Sequence, residues 1–169
     1  VSSASGASTQ GFRWTQSGGM QGLGAGTTGH AISRDGGTII GNFGTGPDAF
    51  RWTQTGGLQF LPTLSGVGQS LASGVNHDGS IIVGRSGTNS LPTMWTNGVP
   101  TEIPSGSSNI YLSPGAVSDL GTVIVGQGQF GPSFFPAVWT PNTGTIRLTE
   151  YLTANGVALP AGLELFNVT

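Results

Sequence analysis

Tryptophan occurs four times in this chain, and threonine follows it each time: Trp14-Thr15, Trp52-Thr53, Trp95-Thr96 and Trp139-Thr140. The spacings are 38, 43 and 44 residues. Two more landmarks keep the same order and nearly the same period. One is a polar turn: Ser33-Arg34-Asp35-Gly36, then Asn76-His77-Asp78-Gly79, then Ser118-Asp119-Leu120-Gly121. The other follows it: Thr38-Ile39-Ile40-Gly41, Ile81-Ile82-Val83-Gly84 and Val123-Ile124-Val125-Gly126. A unit of this length cannot bury its own apolar face, so a chain of such units folds as an array of packed neighbours.

Each unit reads as four short strands. An a-type strand carries Trp, as in Phe12-Arg13-Trp14-Thr15 and Phe50-Arg51-Trp52-Thr53, with Phe and Trp two apart and therefore on one face. A Gly-Gly or Asn-Gly turn leads into a brief b-type strand, since such pairs favour the positive φ of tight hairpins. A c-type strand runs into the polar turn, at residues 30–33, 71–76 and 116–118. The d-type strand is the β-branched run ending in Gly41, Gly84 or Gly126, whose continuous apolar character predicts burial on both faces. A short helix is expected at residues 150–154, with Thr149 as N-cap and Gly156 as C′ residue. No helical periodicity separates the strands, which excludes βαβ units.

Four strands per unit of about 40–45 residues with a Trp signature is the period of a β-propeller. A solenoid rung is shorter and a sandwich does not repeat. The expectation is an all-β propeller of about four four-stranded blades in a single domain, with units at 10–43, 48–86, 92–127 and 135–169. Residues 1–5 resemble a d-type strand and 165–169 a c-type strand, so the N-terminal strand is expected to complete the last blade. A closed monomer is favoured over a homodimer in which each N-terminal strand completes a blade of its partner.

The composition narrows the function. Only 7% of residues are charged, lysine is absent, and five scattered arginines give a net charge of −2, which argues against a nucleic-acid partner. No apolar run is long enough for a transmembrane helix, so no membrane insertion by this segment is expected. Absence of cysteine excludes disulfides and thiolate chemistry. The start at Val1 reads as that of an excised or processed segment.

Residues 49–53, 56–58 and 74–84 together resemble the unit of the HAF-type bacterial extracellular repeat family, and residues 150–159 resemble segments near the end of such arrays. Units three and four depart from the pattern: Thr93 and Met94, then Ala137 and Val138, stand where units one and two have Phe and Arg. The resemblance implies a secreted or outer-membrane surface-exposed bacterial protein, often an autotransporter passenger. It carries no catalytic motif to transfer.

Candidate chemistry is sparse. Asp35, Asp78 and Asp119 suit either a calcium site or turn chemistry; turn chemistry is preferred, because blades are expected to hold them far apart. The tryptophans read as blade-to-blade core rather than a sugar-stacking surface, and Arg13 and Arg51 as solvated or Thr-paired strand residues rather than an anion site. His77 aligns with Arg34 in a turn and His30 with Ser73 in a strand. No Gly-x-Ser-x-Gly elbow accompanies the two histidines, so no catalytic residue, metal or cofactor is assigned. Gly22-Leu23-Gly24-Ala25-Gly26 opens no helix and is not a phosphate loop. Asn167-Val168-Thr169 is a glycosylation triplet of a kind common by chance. The d-to-a connection 127–136 carries Phe130, Phe134 and Phe135, where its counterparts are polar, and is the candidate contact surface. The expected function is a non-enzymatic surface module for adhesion, display or assembly, with an unidentified protein or glycan as ligand. A glycan-binding lectin-like propeller is the alternative, and a hidden hydrolase site a third reading.

Overall fold

The computed structural model describes residues 9–44, 46 and 48–160. They form fourteen β-strands and one short α-helix, in four antiparallel sheets. The first sheet has two strands, β1 (Gln10–Thr15) and β2 (Gly19–Ala25). The second contains β3 (Thr27–Ile32), β4 (Thr38–Phe43), β5 (Asp48–Thr53) and β6 (Gly57–Phe60). The third contains β7 (Gln69–Val75), β8 (Ile81–Gly87), β9 (Leu91–Thr96) and β10 (Val99–Glu102). The fourth contains β11 (Tyr111–Val117), β12 (Ile124–Phe130), β13 (Ser133–Thr140) and β14 (Gly144–Arg147).

Every four-stranded sheet has the order c-d-a-b, in chain order. The sheets therefore lie half a unit out of phase with the units 10–43, 48–86 and 92–127, each of which is split between two sheets. The reason lies in the connections. The c–d, d–a and a–b links are tight enough to keep neighbours paired. The b–c links carry the chain from one sheet to the next: Gly26 alone, at φ +83°, after β2, and then the eight-residue links 61–68 and 103–110. The unit 135–169 runs beyond the described residues, as do both strands expected to close the ring, 1–5 and 165–169.

The sheets pack face to face in chain order, in a propeller-like arrangement with a separate core in each gap. Leu23, Ile39 and Phe50 fill the first gap, and Ile40, Ala72, Ile82 and Trp95 are central to the second. Val83, Leu112, Ile124 and Trp139 are central to the third. Neighbours in a d-type strand thus serve opposite gaps: Ile39 faces the first and Ile40 the second, while Ile82 faces the second and Val83 the third. This is the two-sided burial that the β-branched runs predict.

Each c-type strand carries a bulge, and the bulged residues are His30, Ser73 and Gly115. Two of them join neighbouring sheets. His30 Nδ1 lies 3.4 Å from the Ala72 carbonyl oxygen, and Ser73 Oγ donates to the Pro114 carbonyl at 2.5 Å. The threonine after each tryptophan closes the a–b hairpin. Thr15, Thr53 and Thr140 accept from the amides of Gly18, Gly56 and Thr143. At Thr96 a two-residue Asn97-Gly98 turn takes over, with positive φ at both positions.

The helix α1 (Leu148–Ala154) starts earlier than expected: its N-cap is Arg147, not Thr149. Its other end matches expectation. Gly156, at φ +76°, is the C′ residue; its amide donates to Thr153 O, and Val157 donates to Leu152 O.

Candidate functional site

Phe130 and Phe134 lie at the tip of the β12–β13 hairpin, whose turn residue Gly131 has φ +58°. Opposed residues of an antiparallel pair share a face and successive residues alternate. Phe130 pairs with Ser133 and Phe134 with Gln129, so the two rings project from opposite faces of the ribbon. They are 56% and 55% exposed.

Phe135 does not belong to this surface. It is 7% exposed and is part of the core between the third and fourth sheets. Its cross-strand partner is Gly128, where a Cβ would come within 2.7 Å of the ring, so the glycine makes room for it. The Arg147 guanidinium covers the ring at 3.7 Å from its centroid.

Two more aromatics emerge at the same end of another sheet. Phe43 closes β4 and Phe60 closes β6, and their rings meet edge to face at 5.4 Å, both exposed. Sequence reading missed this pair because the two residues lie in different landmarks. Their register joins them: β5 pairs with β4 on one side and β6 on the other. Between the third and fourth sheets lies a cleft of about 230 Å³, lined by Leu91, Pro92, Glu102, Asn109, Tyr111 and Thr145 among others. The Tyr111 hydroxyl donates to the Ser90 carbonyl, and the buried Thr145 Oγ1 has no partner.

The opposite end carries the polar turns. They are not far apart, as the sequence reading expected, but in direct contact. The Asp35 amide donates to the His77 carbonyl at 3.1 Å, and the His77 amide donates to Asp119 Oδ1 at 3.2 Å. Within the turns, Ser33 Oγ and the Gly37 amide donate to Asp35, and Ser80 donates to Asp78 through both hydroxyl and amide. These bonds hold both carboxyls below the usual carboxylate value, with the serine hydroxyl the main cause in each. Each turn glycine sits near φ +70°. The carboxylates are thus engaged in turn geometry, and no group of three metal-ligating side chains occurs among the described residues.

The tryptophans are not equivalent in burial. Trp95 is fully buried and Trp139 nearly so, and their indole N–H groups donate to the Pro62 and Pro104 carbonyls of the preceding b–c link. Trp52 is half-buried. Trp14 is 64% exposed, against expectation, because no strand pairs with the outer edge of β1 among the described residues. Arg13 is half-buried and is not Thr-paired: in an exposed contact it donates to Gln54 at 2.6 Å and lies 5.7 Å from the Trp52 ring centroid, tying the first sheet to the second. No helix among the described residues is long and apolar enough to cross a membrane.

Neither a family model nor a curated protein matches the chain. Among solved structures it is similar to TolB from Acinetobacter baumannii, with a TM-score of 0.56 at 19% identity, over 79% of this chain and 35% of that one. The chain thus spans about a third of the TolB chain. The likeness bears on the fold alone and accords with the propeller-like stacking of sheets.

Proposed function

We propose that this chain is a non-enzymatic β-propeller module of a secreted or surface-exposed bacterial protein, serving adhesion, display or assembly. In this reading the two-stranded first sheet is an incomplete blade, and about four four-stranded blades form the ring. The observation that carries the contact role is the β12–β13 hairpin, which holds Phe130 and Phe134 in solvent on opposite faces of a rigid ribbon. The exposed Phe43–Phe60 pair at the same end of the second sheet supports it. The HAF-type resemblance supports the location.

The test is surface display on a non-adherent bacterium. Attachment to cultured cells or to sister bacteria should exceed that of empty display. It should fall by half or more in Phe130→Ser/Phe134→Ser, with the melting temperature unchanged. A second reading, glycan binding, is favoured by the cleft in which Tyr111 lies beside Asn109 and Glu102. A glycan array separates the two: saccharide binding abolished by Glu102→Ala would select the lectin.

A further inference from the structure

In the three complete sheets, the d-type strand pairs with its a-type neighbour in one register. Ile39, Ile82 and Ile124 stand opposite Trp52, Trp95 and Trp139. Ile40, Val83 and Val125 stand opposite the next residues back, Arg51, Met94 and Val138. Gly41, Gly84 and Gly126 stand opposite Phe50, Thr93 and Ala137. These glycines do not have positive φ; they are required by space. A Cβ would lie 1.9, 1.9 and 2.1 Å from the carbonyl oxygens of Thr28, Leu71 and Ser113, beside the bulge of the c-type strand. At Gly41 a Cβ would also meet the tip of the Phe50 ring at 2.9 Å.

The first sheet repeats the a-type half of this pattern in Phe12-Arg13-Trp14. The position of Phe12 is buried in all three complete sheets, yet Phe12 itself is 60% exposed. Beside it lies an open groove of about 280 Å³ lined by Phe12, Arg13, Trp14, Ala31, Ile32 and Ile39 among others.

We propose that the outer edge of β1 is a docking site for a c–d hairpin of this same repeat, entering with an aliphatic residue opposite Trp14, another opposite Arg13, and glycine opposite Phe12. This rests on the propeller reading above and specifies the strand that completes the first blade. Residues 1–5 do not have the required pattern. The 13-residue offset between Ile39 and Trp52, or between Ile82 and Trp95, places Val1 opposite Trp14, Ser2 opposite Arg13 and Ser3 opposite Phe12. Serine then falls where the second and third sheets bury an aliphatic side chain, Ile40 and Val83, and where a Cβ has no room. No pair of aliphatic residues followed by glycine occurs anywhere in residues 1–9, so sliding the register does not help.

The chain contains no cysteine, so an introduced pair reports register cleanly. The probe is a synthetic peptide of residues 69–87, the c–d hairpin of the third sheet, added to the full chain carrying Arg13→Cys under mild oxidation. The peptide with Val83→Cys should form the mixed disulfide, and the peptide with Arg85→Cys, two residues along, should form it at least tenfold more slowly. Ile82→Ser added to the Val83→Cys peptide should suppress the reaction by a similar factor, since Ile82 faces the tryptophan. No disulfide, or equal rates for the two positions, overturns the proposal. Reaction only after removal of residues 1–8 puts the chain's own N-terminus on the edge and also overturns it. So does a solution mass twice that of the 17.1 kDa chain in the absence of peptide, which would place a second copy there. The propeller reading has its own readout. If the Asp35 amide, bonded across sheets to His77, exchanges with solvent at the unfolded rate in the free chain, the stacking of sheets fails irrespective of the peptide result.

Discussion

Gly84 and Trp95 illustrate how single residues set the limits of this fold. Gly84→Ala places a methyl group against the Leu71 carbonyl, which belongs to the backbone of the adjacent strand and cannot swing aside. The expected cost is about 3 kcal/mol or more in denaturant unfolding. Trp95→Ala should cost about 3–5 kcal/mol, because a fully buried indole and its bond to Pro62 are both lost. Trp14→Ala, at the equivalent place in the repeat, should cost less than about 1 kcal/mol in the free chain. Equal losses at the two sites would show that the tryptophans are equivalent after all. The polar turns supply a pH dependence. The folded Asp35 and Asp78 carboxyls lie below their ordinary value of 3.8, so their contribution is complete above that value and is lost as pH falls through the lower folded one. The melting temperature should therefore drop on acidification below about pH 4, with a shallower drop in Asp35→Asn/Asp78→Asn.

At the scale of elements, much was legible and the reasons for the rest are physical. The a-, b-, c- and d-type strands emerge from Trp-Thr, the Gly turns and the β-branched runs because alternation and turn chemistry are local. Which strands share a sheet is not local. The d–a connections 44–48 and 87–90 read as polar joints between units, yet the strands on either side of each are paired, β4 with β5 and β8 with β9, and the crossings fall in the b–c links. The burial of Phe135 was hidden for a related reason. It depends on Gly128 opposite and Arg147 above, and both partners follow from pairing across strands. Phe130 and Phe134, by contrast, have no such partners and are exposed at the hairpin tip. The helix end was legible because Gly156 is a chemical requirement of a left-handed cap. Gly156→Ala meets no neighbour, so its cost is conformational alone, about 1 kcal/mol. Faster amide exchange at Val157, with little change in global melting, is the expected sign.

For the molecule as a whole, cohesion comes mainly from apolar gaps and backbone hydrogen bonds between sheets, and the charged groups that reach across, Arg13 to Gln54 and Asp119 to the His77 amide, meet neutral partners. Arg147 and Glu150 form the one ion pair among the described residues, exposed and 3.9 Å apart. Thermal stability should therefore hardly change between low and high sodium chloride, apart from a general salting-out trend. A steep dependence would reveal charge interactions the fold does not display. Iodide should quench one of the four tryptophans readily, and Trp14→Phe should remove that component. The half-unit offset of sheets against sequence has a mechanical side. As in brickwork laid in running bond, each seam between sequence units is spanned by a paired hairpin, and each seam between sheets is spanned by a single covalent link. A chain pulled from its two ends should therefore yield brick by brick. The two-stranded course has the fewest bonds and should give way first. From β3 to β7, and again from β7 to β11, the starts of successive sheets are 42 residues apart. Each later rupture in a force–extension trace should release about 150 Å of contour length less the folded span.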